Sequence, residues 1–86
     1  MQKFGPWDLP GFDYFAAKNP FYGSRENLRF KIVVDGEEFI VFVWSGDLCF
    51  EKAEKEIEEH FRNDDDVLYR INDFLSQIFN ERKNLQ

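Results

Sequence analysis

Two runs of apolar residues flank an Asp-Gly pair near the middle of the chain. In residues 28–34 apolar side chains alternate with basic ones, which is the periodicity of a β-strand with one buried face. Asp35 and Gly36 are residue types that tolerate the positive φ angles of a two-residue hairpin loop. Residues 38–44 are mostly β-branched and aromatic, as in a strand. The sequence therefore predicts a β-hairpin.

A loop at Asp35-Gly36 sets the pairing of the two strands. It places three apolar pairs on one face: Ile32 with Phe39, Phe30 with Val41, and Leu28 with Val43. The second strand would direct Ile40, Phe42 and Trp44 to its other face, so we expect a central strand covered on both faces. Gly46-Asp47 then predicts a second turn into a short strand over residues 48–50. The result is a three-stranded antiparallel meander.

The clearest helical pattern lies near the carboxyl end. Apolar residues there follow i, i+3, i+4 spacing: Val67, Leu68, Ile71, Phe74, Leu75, Ile78 and Phe79. Residues 63–66 (NDDD) supply N-cap candidates and negative charge for a helix N-terminus. We predict a helix over about residues 65–82, packed on the sheet face that carries Phe30 and Val41, and hence the α+β fold class.

Residues 51–62 allow two interpretations. Ala53, Ile57 and Phe61 lie four residues apart, which favours a helix, and Glu51 and Lys55 form a favourable i, i+4 pair. The same residues could instead form a charged, solvated connection. We favour the helix.

Residues 1–27 form an aromatic amino-terminal arm. Proline and glycine interrupt any regular period, although residues 12–18 could form a helical turn that stops before Pro20. The arm is too apolar for a solvated linker. We expect it to wrap the domain and to bury Trp7 against the second sheet face, near Phe42 and Trp44. The alternative is a segment that docks on a partner.

Length and composition indicate one small globular domain. The 86 residues are 43% hydrophobic and 33% charged, and they divide into the arm (1–27), the meander (28–50) and a helical part (51–86). No apolar run approaches the length of a membrane span. A single cysteine, Cys49, excludes an intramolecular disulfide, and residues 1–6 do not resemble a signal peptide. We expect a cytoplasmic protein.

Residues capable of catalysis or metal binding are few and scattered. Cys49 and His60 are single examples of their types and lack the spacing of a metal site. A Cys49–His60 pair is a weak alternative, and Ser24 and Ser45 have no recognisable triad context. Residues 64–66 lack the glycine and the distal glutamate of a calcium loop. We predict no catalytic, cofactor-binding or metal-binding residue, and no enzyme.

The net charge of −6 is concentrated in one segment. Eight carboxylates fall within sixteen residues: Glu51, Glu54, Glu56, Glu58, Glu59, Asp64, Asp65 and Asp66. Such a run is usually a solvated face, but it could steer a basic protein patch or imitate phosphate spacing. Arg25, Arg29 and Lys31 faintly resemble an RNA-binding sheet. The acidic remainder of the chain makes direct nucleic-acid binding an unfavourable hypothesis.

Several segments resemble a group of small uncharacterised bacterial proteins from gut Firmicutes and their mobile genetic elements. They are residues 7–15 (WDLPGFDYF), 17–21 (AKNPF), 23–24 (GS) and 43–46 (VWSG), with Cys49-Phe50. The resemblance covers about residues 6–50. It implies a bacterial cytoplasmic protein, an accessory of a mobile element, and it transfers no functional residue because the group has no established activity.

These features favour a non-catalytic protein-interaction module or small accessory protein. The alternatives are an acidic nucleic-acid mimic that inhibits a nucleic-acid-binding enzyme, and a small enzyme or metal-binding protein. We expect a protein partner, without direct binding to nucleic acid or membrane. The sequence leaves the oligomeric state open.

Overall fold

The predicted hairpin forms the centre of an antiparallel sheet. The computed structural model describes residues 3–4, 7–45 and 57–84. Their elements, in chain order, are β1 (Lys3–Phe4), β2 (Leu9–Pro10), α1 (Phe12–Ala16), β3 (Phe21–Arg25), β4 (Leu28–Asp35), β5 (Glu38–Ser45), β6 (Ile57–Arg62) and α2 (Val67–Asn84). The α+β class and the carboxyl-terminal helix are confirmed.

The loop of the β4–β5 hairpin lies one residue further along the chain than predicted. Asp35 pairs with Glu38, so the loop is Gly36-Glu37. Gly36 has a φ of 63°, and glycine is the preferred first loop residue of a type II′ hairpin turn. The pairing therefore shifts by two positions, and Ile32 faces Val41 instead of Phe39. A shift of two preserves the face of every side chain, so the predicted apolar face is retained.

The described sheet has four strands in the order β3-β4-β5-β6, where the sequence predicted three. β3 lies within residues 1–27, which were expected to form an irregular arm. The alternation of apolar and polar side chains in β3 is interrupted by Gly23, which lies opposite Phe30. The predicted third strand at residues 48–50, and its Gly46-Asp47 turn, lie outside the described residues.

β6 corrects the helix favoured for residues 51–62, of which 57–62 are described. These six residues pair antiparallel with β5, so that Ile57 faces Val43 and Phe61 faces Phe39. A spacing of four residues places two side chains on one face of a strand as well as of a helix. The local spacing therefore fits both a helix and a strand, and pairing with the edge of β5 selects the strand.

α2 packs on one face of the sheet, called here the inner face. Its N-terminus is fixed by Asp64, whose Oδ1 accepts the backbone N–H of Asp66 at 3.0 Å and the Arg70 Nη1 at 2.7 Å. The apolar side chains of α2 and of the inner face meet in one core: Leu28, Phe30, Ile32, Phe39, Val41, Val43, Val67, Leu68, Ile71, Leu75 and Ile78. Across the described residues, no helix combines the length and apolar character needed to cross a membrane.

The amino-terminal segment packs beside α2 on the inner face, which corrects the prediction that it covers the opposite face. The Trp7 ring meets Phe30 and Phe79 edge-on, with centroids 5.5 and 5.8 Å apart. Its Nε1–H donates to Ser76 Oγ at 2.9 Å, and its backbone N–H donates to Asn72 Oδ1 at 3.3 Å. These contacts hold the segment against α2 because both N–H groups of Trp7 find acceptors there.

The short helix α1 matches the predicted helical turn and extends the same core. Phe15 is fully buried, and its ring lies 5.1 Å from that of Phe39. Lys18 ends the turn with a φ of 62°, two residues before Pro20. The described residues of the arm therefore contribute to the core, as expected, although on the other side of the sheet.

Candidate functional site

The sheet face opposite α2, called here the outer face, is the candidate functional site. Strand alternation and register assign its side chains: Tyr22, Ser24, Arg29, Lys31, Val33, Asp35, Glu38, Ile40, Phe42, Trp44, Glu58, His60 and Arg62. The expected cover for this face, the amino-terminal segment, packs on the inner face instead. The amino-terminal segment therefore does not account for the apolar side chains on the outer face.

Apolar and aromatic side chains occupy the middle of the outer face. Val33, Ile40 and Phe42 are half-buried, and Tyr22 on the edge strand β3 is 56% exposed. Trp44 on the same face is only 3% exposed. The outer face therefore combines half-buried β-branched and aromatic residues with charged groups around them.

The β3 and β4 side of the outer face is basic. Lys31 is paired with Tyr22 across the two strands, and its Nζ lies 5.3 Å from the centre of the Tyr22 ring. Arg29 is paired in the same way with Ser24. The third basic residue that the sequence singled out, Arg25, lies on the inner face, where its guanidinium carbon is 4.4 Å from the centre of the Trp7 ring. The three cations therefore do not form one surface.

The β5 and β6 side of the outer face carries the carboxylates of Glu38 and Glu58, the guanidinium of Arg62 and the chain's only histidine. Both ring nitrogens of His60 are engaged: Nδ1 lies 2.8 Å from Glu38 Oε2, and Nε2 lies 2.8 Å from Glu58 Oε2. The hydrogen bond with Glu58 and then the one with Glu38 raise the pKa of His60 above its ordinary value of 6.5. A protonated His60 would donate to both carboxylates and reduce the negative charge of this side.

Both ring nitrogens of His60 are engaged with carboxylates, whereas a general base needs one ring nitrogen directed at the proton that it removes. Its hypothetical partner Cys49 lies outside the described residues. Ser24 is exposed and Ser45 is half-buried, each on a different strand from His60. Among the described residues, no group of three or more His, Cys, Asp and Glu side chains could hold a metal ion.

The acidic run does not converge on one face where it is described. Glu58 belongs to the outer face, whereas Glu59 is opposite Val41 and so lies on the inner side of the edge strand. Asp64 pairs with Arg70, whose hydrogen bond holds the pKa of Asp64 below its ordinary value of 3.8. Glu51, Glu54 and Glu56 lie outside the described residues. Glu58, Glu59 and Asp64 thus do not lie together on one face of the sheet.

Two residues that position the site were not singled out from the sequence. Tyr22 lay inside the presumed arm, and only its place two residues after Pro20 hinted at a new strand. Asn72 is 3% exposed and ties the amino-terminal segment to α2. Its position four residues after Leu68, on the apolar stripe of the helix, was the available signal.

Comparison with protein-family models, with curated proteins and with solved structures finds no match to this chain. The candidate site is therefore defined by its own geometry and chemistry.

Proposed function

We propose that this protein is a non-catalytic module that binds a protein partner through the outer face of its sheet. The observation that carries the proposal is the half-buried row Val33, Ile40 and Phe42, with the exposed Tyr22 beside it, on a face that α2 and the amino-terminal segment do not cover. Burial of such side chains by a partner is the main favourable contribution to protein association.

The charges around this row support a protein partner more than a nucleic acid. Arg29 and Lys31 lie on one side. Glu38 and Glu58 lie on the other, where Arg62 is also present. A surface with both signs can match a folded partner of complementary pattern, which sets orientation and specificity. A nucleic-acid backbone would meet repulsion from Glu38 and Glu58 and from the net charge of −6.

The proposal also places the module in the cytoplasm, where a lone cysteine stays reduced. The resemblance to small bacterial proteins of mobile elements suggests that the partner belongs to a bacterial cell or to such an element. Neither statement is needed for the binding surface itself.

Site-specific photo-crosslinking in the native host tests the proposal. A benzophenone amino acid placed at position 22 or 40 should form a discrete adduct that protease, but not nuclease, removes. Position 69 is the matched control, because Tyr69 is as exposed as Tyr22 (58% against 56%) but lies on α2, which covers the inner face. No adduct at positions 22 and 40, equal adducts at all three positions, or a nuclease-sensitive adduct would contradict the proposal.

A further inference from the structure

The two edges of the described sheet differ in their protection against pairing with another strand. β6 carries ionisable side chains at four of its six positions: Glu58, Glu59, His60 and Arg62. Charges of this kind are a common protection of an exposed edge strand. β3, at the other edge, has one charged residue, Arg25, at its final position. The β3 edge is therefore the one that its sequence leaves suited to pairing.

The backbone of β3 is also regular enough to accept another strand. Its five residues pair with β4 without a bulge, from Phe21 opposite Ile32 to Arg25 opposite Leu28. In an antiparallel pair, every second residue directs its N–H and C=O away from the neighbouring strand. The pair that closes a two-residue hairpin loop is hydrogen-bonded, so the outward groups of β3 belong to Tyr22 and Ser24, which are both exposed.

The side chains next to this edge are basic. Lys31 and Arg29 stand on the outer face directly beside Tyr22 and Ser24. A strand added at the edge would lie about 4.8 Å from β3 and about 9.6 Å from β4. The Lys31 side chain reaches across β3, since its Nζ lies 5.3 Å from the centre of the Tyr22 ring. Carboxylates on the added strand would meet opposite charges there, while lysines would meet like charges.

We propose that β3 is the docking strand of the module and that it pairs with an extended acidic segment of the partner protein. The inference rests on the proposed function, since the same partner would continue from the edge across the outer face. A second copy of this chain is a poorer occupant. Pairing β3 with β3 of another copy would bring two sets of Arg29 and Lys31 together, between two molecules that each carry a net charge of −6.

A pair of labelled peptides tests the chemistry of the occupant. One alternates valine and glutamate, the other alternates valine and lysine, and both are titrated against the full chain by fluorescence anisotropy, alongside a labelled single-stranded oligonucleotide. At low ionic strength the acidic peptide should bind at least about tenfold more tightly than the basic peptide, and the difference should shrink with added salt. Equal binding of both peptides, or binding of the oligonucleotide alone, would overturn the proposal.

Two sets of variants locate the contact on β3. Ser24→Pro removes the outward N–H and should weaken acidic-peptide binding about tenfold, the effect of one lost hydrogen bond at the upper end of its usual range. Ser24→Ala keeps that N–H and should bind like the parent chain. The double variant Arg29→Glu, Lys31→Glu leaves the backbone intact and should reverse the preference between the two peptides. Melting curves identify any variant that is unfolded.

Amide hydrogen exchange and crosslinking separate this proposal from the proposed function. Acidic-peptide binding should slow exchange at Tyr22 and Ser24, and slowing confined to β6 would reject the β3 edge. In the crosslinking experiment, Ser24→Pro should reduce the adduct formed from position 40. An undiminished adduct would reject docking on β3 while the outer-face module stands, whereas no adduct even in the parent chain would reject the module itself.

Discussion

A methyl group added at Gly23 is expected to destabilise the protein because a ring already occupies its place. A β-carbon at this position would lie 2.3, 2.7 and 3.0 Å from three ring carbons of Phe30. The ring cannot easily move away. It is 1% exposed, and its centroid lies 5.5 Å from that of Trp7 and 6.1 Å from that of Phe21. Gly23→Ala therefore forces either β3 or the aromatic core to shift.

The magnitude follows from two opposing effects. Alanine in a strand would ordinarily stabilise by roughly 0.5–1 kcal/mol relative to glycine, because it restricts the unfolded chain. Overpacking a well-filled core costs typically about 1–3 kcal/mol, and a contact at 2.3 Å belongs at the upper end of that range. We expect a net loss of about 2 kcal/mol, which lowers the Tm by roughly 8–16 °C in a domain of this size.

Urea denaturation followed by circular dichroism measures this loss, with Ser24→Ala as the control on the same strand. The variant Phe30→Leu removes the ring atoms that the new methyl meets. Gly23→Ala should therefore cost less in the Phe30→Leu background than in the parent chain, which a double-mutant cycle detects. A Gly23→Ala chain as stable as the parent, or fully additive costs in the cycle, would refute the packing described here.

Three further perturbations test other parts of the structure. Phe30→Ala should cost about 3 kcal/mol in urea denaturation, and Phe74→Ala should cost less, because Phe74 is only half-buried. Asn72→Leu should cost about 1–3 kcal/mol by the same assay, because it leaves the buried backbone N–H of Trp7 without its acceptor. NMR titration of the single histidine should give a pKa above 6.5, and this pKa should be lower in Glu58→Gln. Because the raised pKa belongs to the folded state, the contribution of His60 to stability is present below pH 6.5. That contribution is lost as the pH rises through the pKa of the folded state.

Each of these expectations has a clear opposite. A larger loss for Phe74→Ala than for Phe30→Ala would mean that the centre of the core lies elsewhere. An unchanged Asn72→Leu chain would mean that the amino-terminal segment is not held at α2. A His60 pKa at or below 6.5 would mean that the imidazole does not lie between the two carboxylates.

The parts of the fold that follow from sequence are those where local preference and burial agree. Residues 28–44 alternate, contain a turn pair and face one core, so the hairpin and its apolar face were predicted. The seven-residue stripe from Val67 to Phe79 likewise predicted α2. The loop position was wrong by one residue, because Asp35-Gly36 and Gly36-Glu37 both place glycine where a positive φ is needed, and the local sequence does not separate them.

The parts that could not be predicted depend on distant partners. β3 has no apolar alternation because the ring of Phe30 fills the space beside Gly23. The apolar group at this position therefore belongs to β4, and the sequence of β3 alone does not indicate it. Residues 57–62 fit helix and strand equally, and only the edge of β5 distinguishes them. The predicted position of the arm was wrong for the same reason. Trp7 was expected near Phe42, but its hydrogen-bond acceptors, Asn72 and Ser76, lie on α2.

The position of Trp7 decides whether the amino-terminal segment covers the outer face. In an isotope-edited NOE spectrum, the indole N–H of Trp7 should show contacts to the protons of Ser76, and its ring should show contacts to Phe30 and Phe79. Those contacts would place the amino-terminal segment beside α2 and not across the outer face. Contacts from Trp7 to Phe42 instead would place the segment across the outer face and contradict both the proposed module and its docking strand.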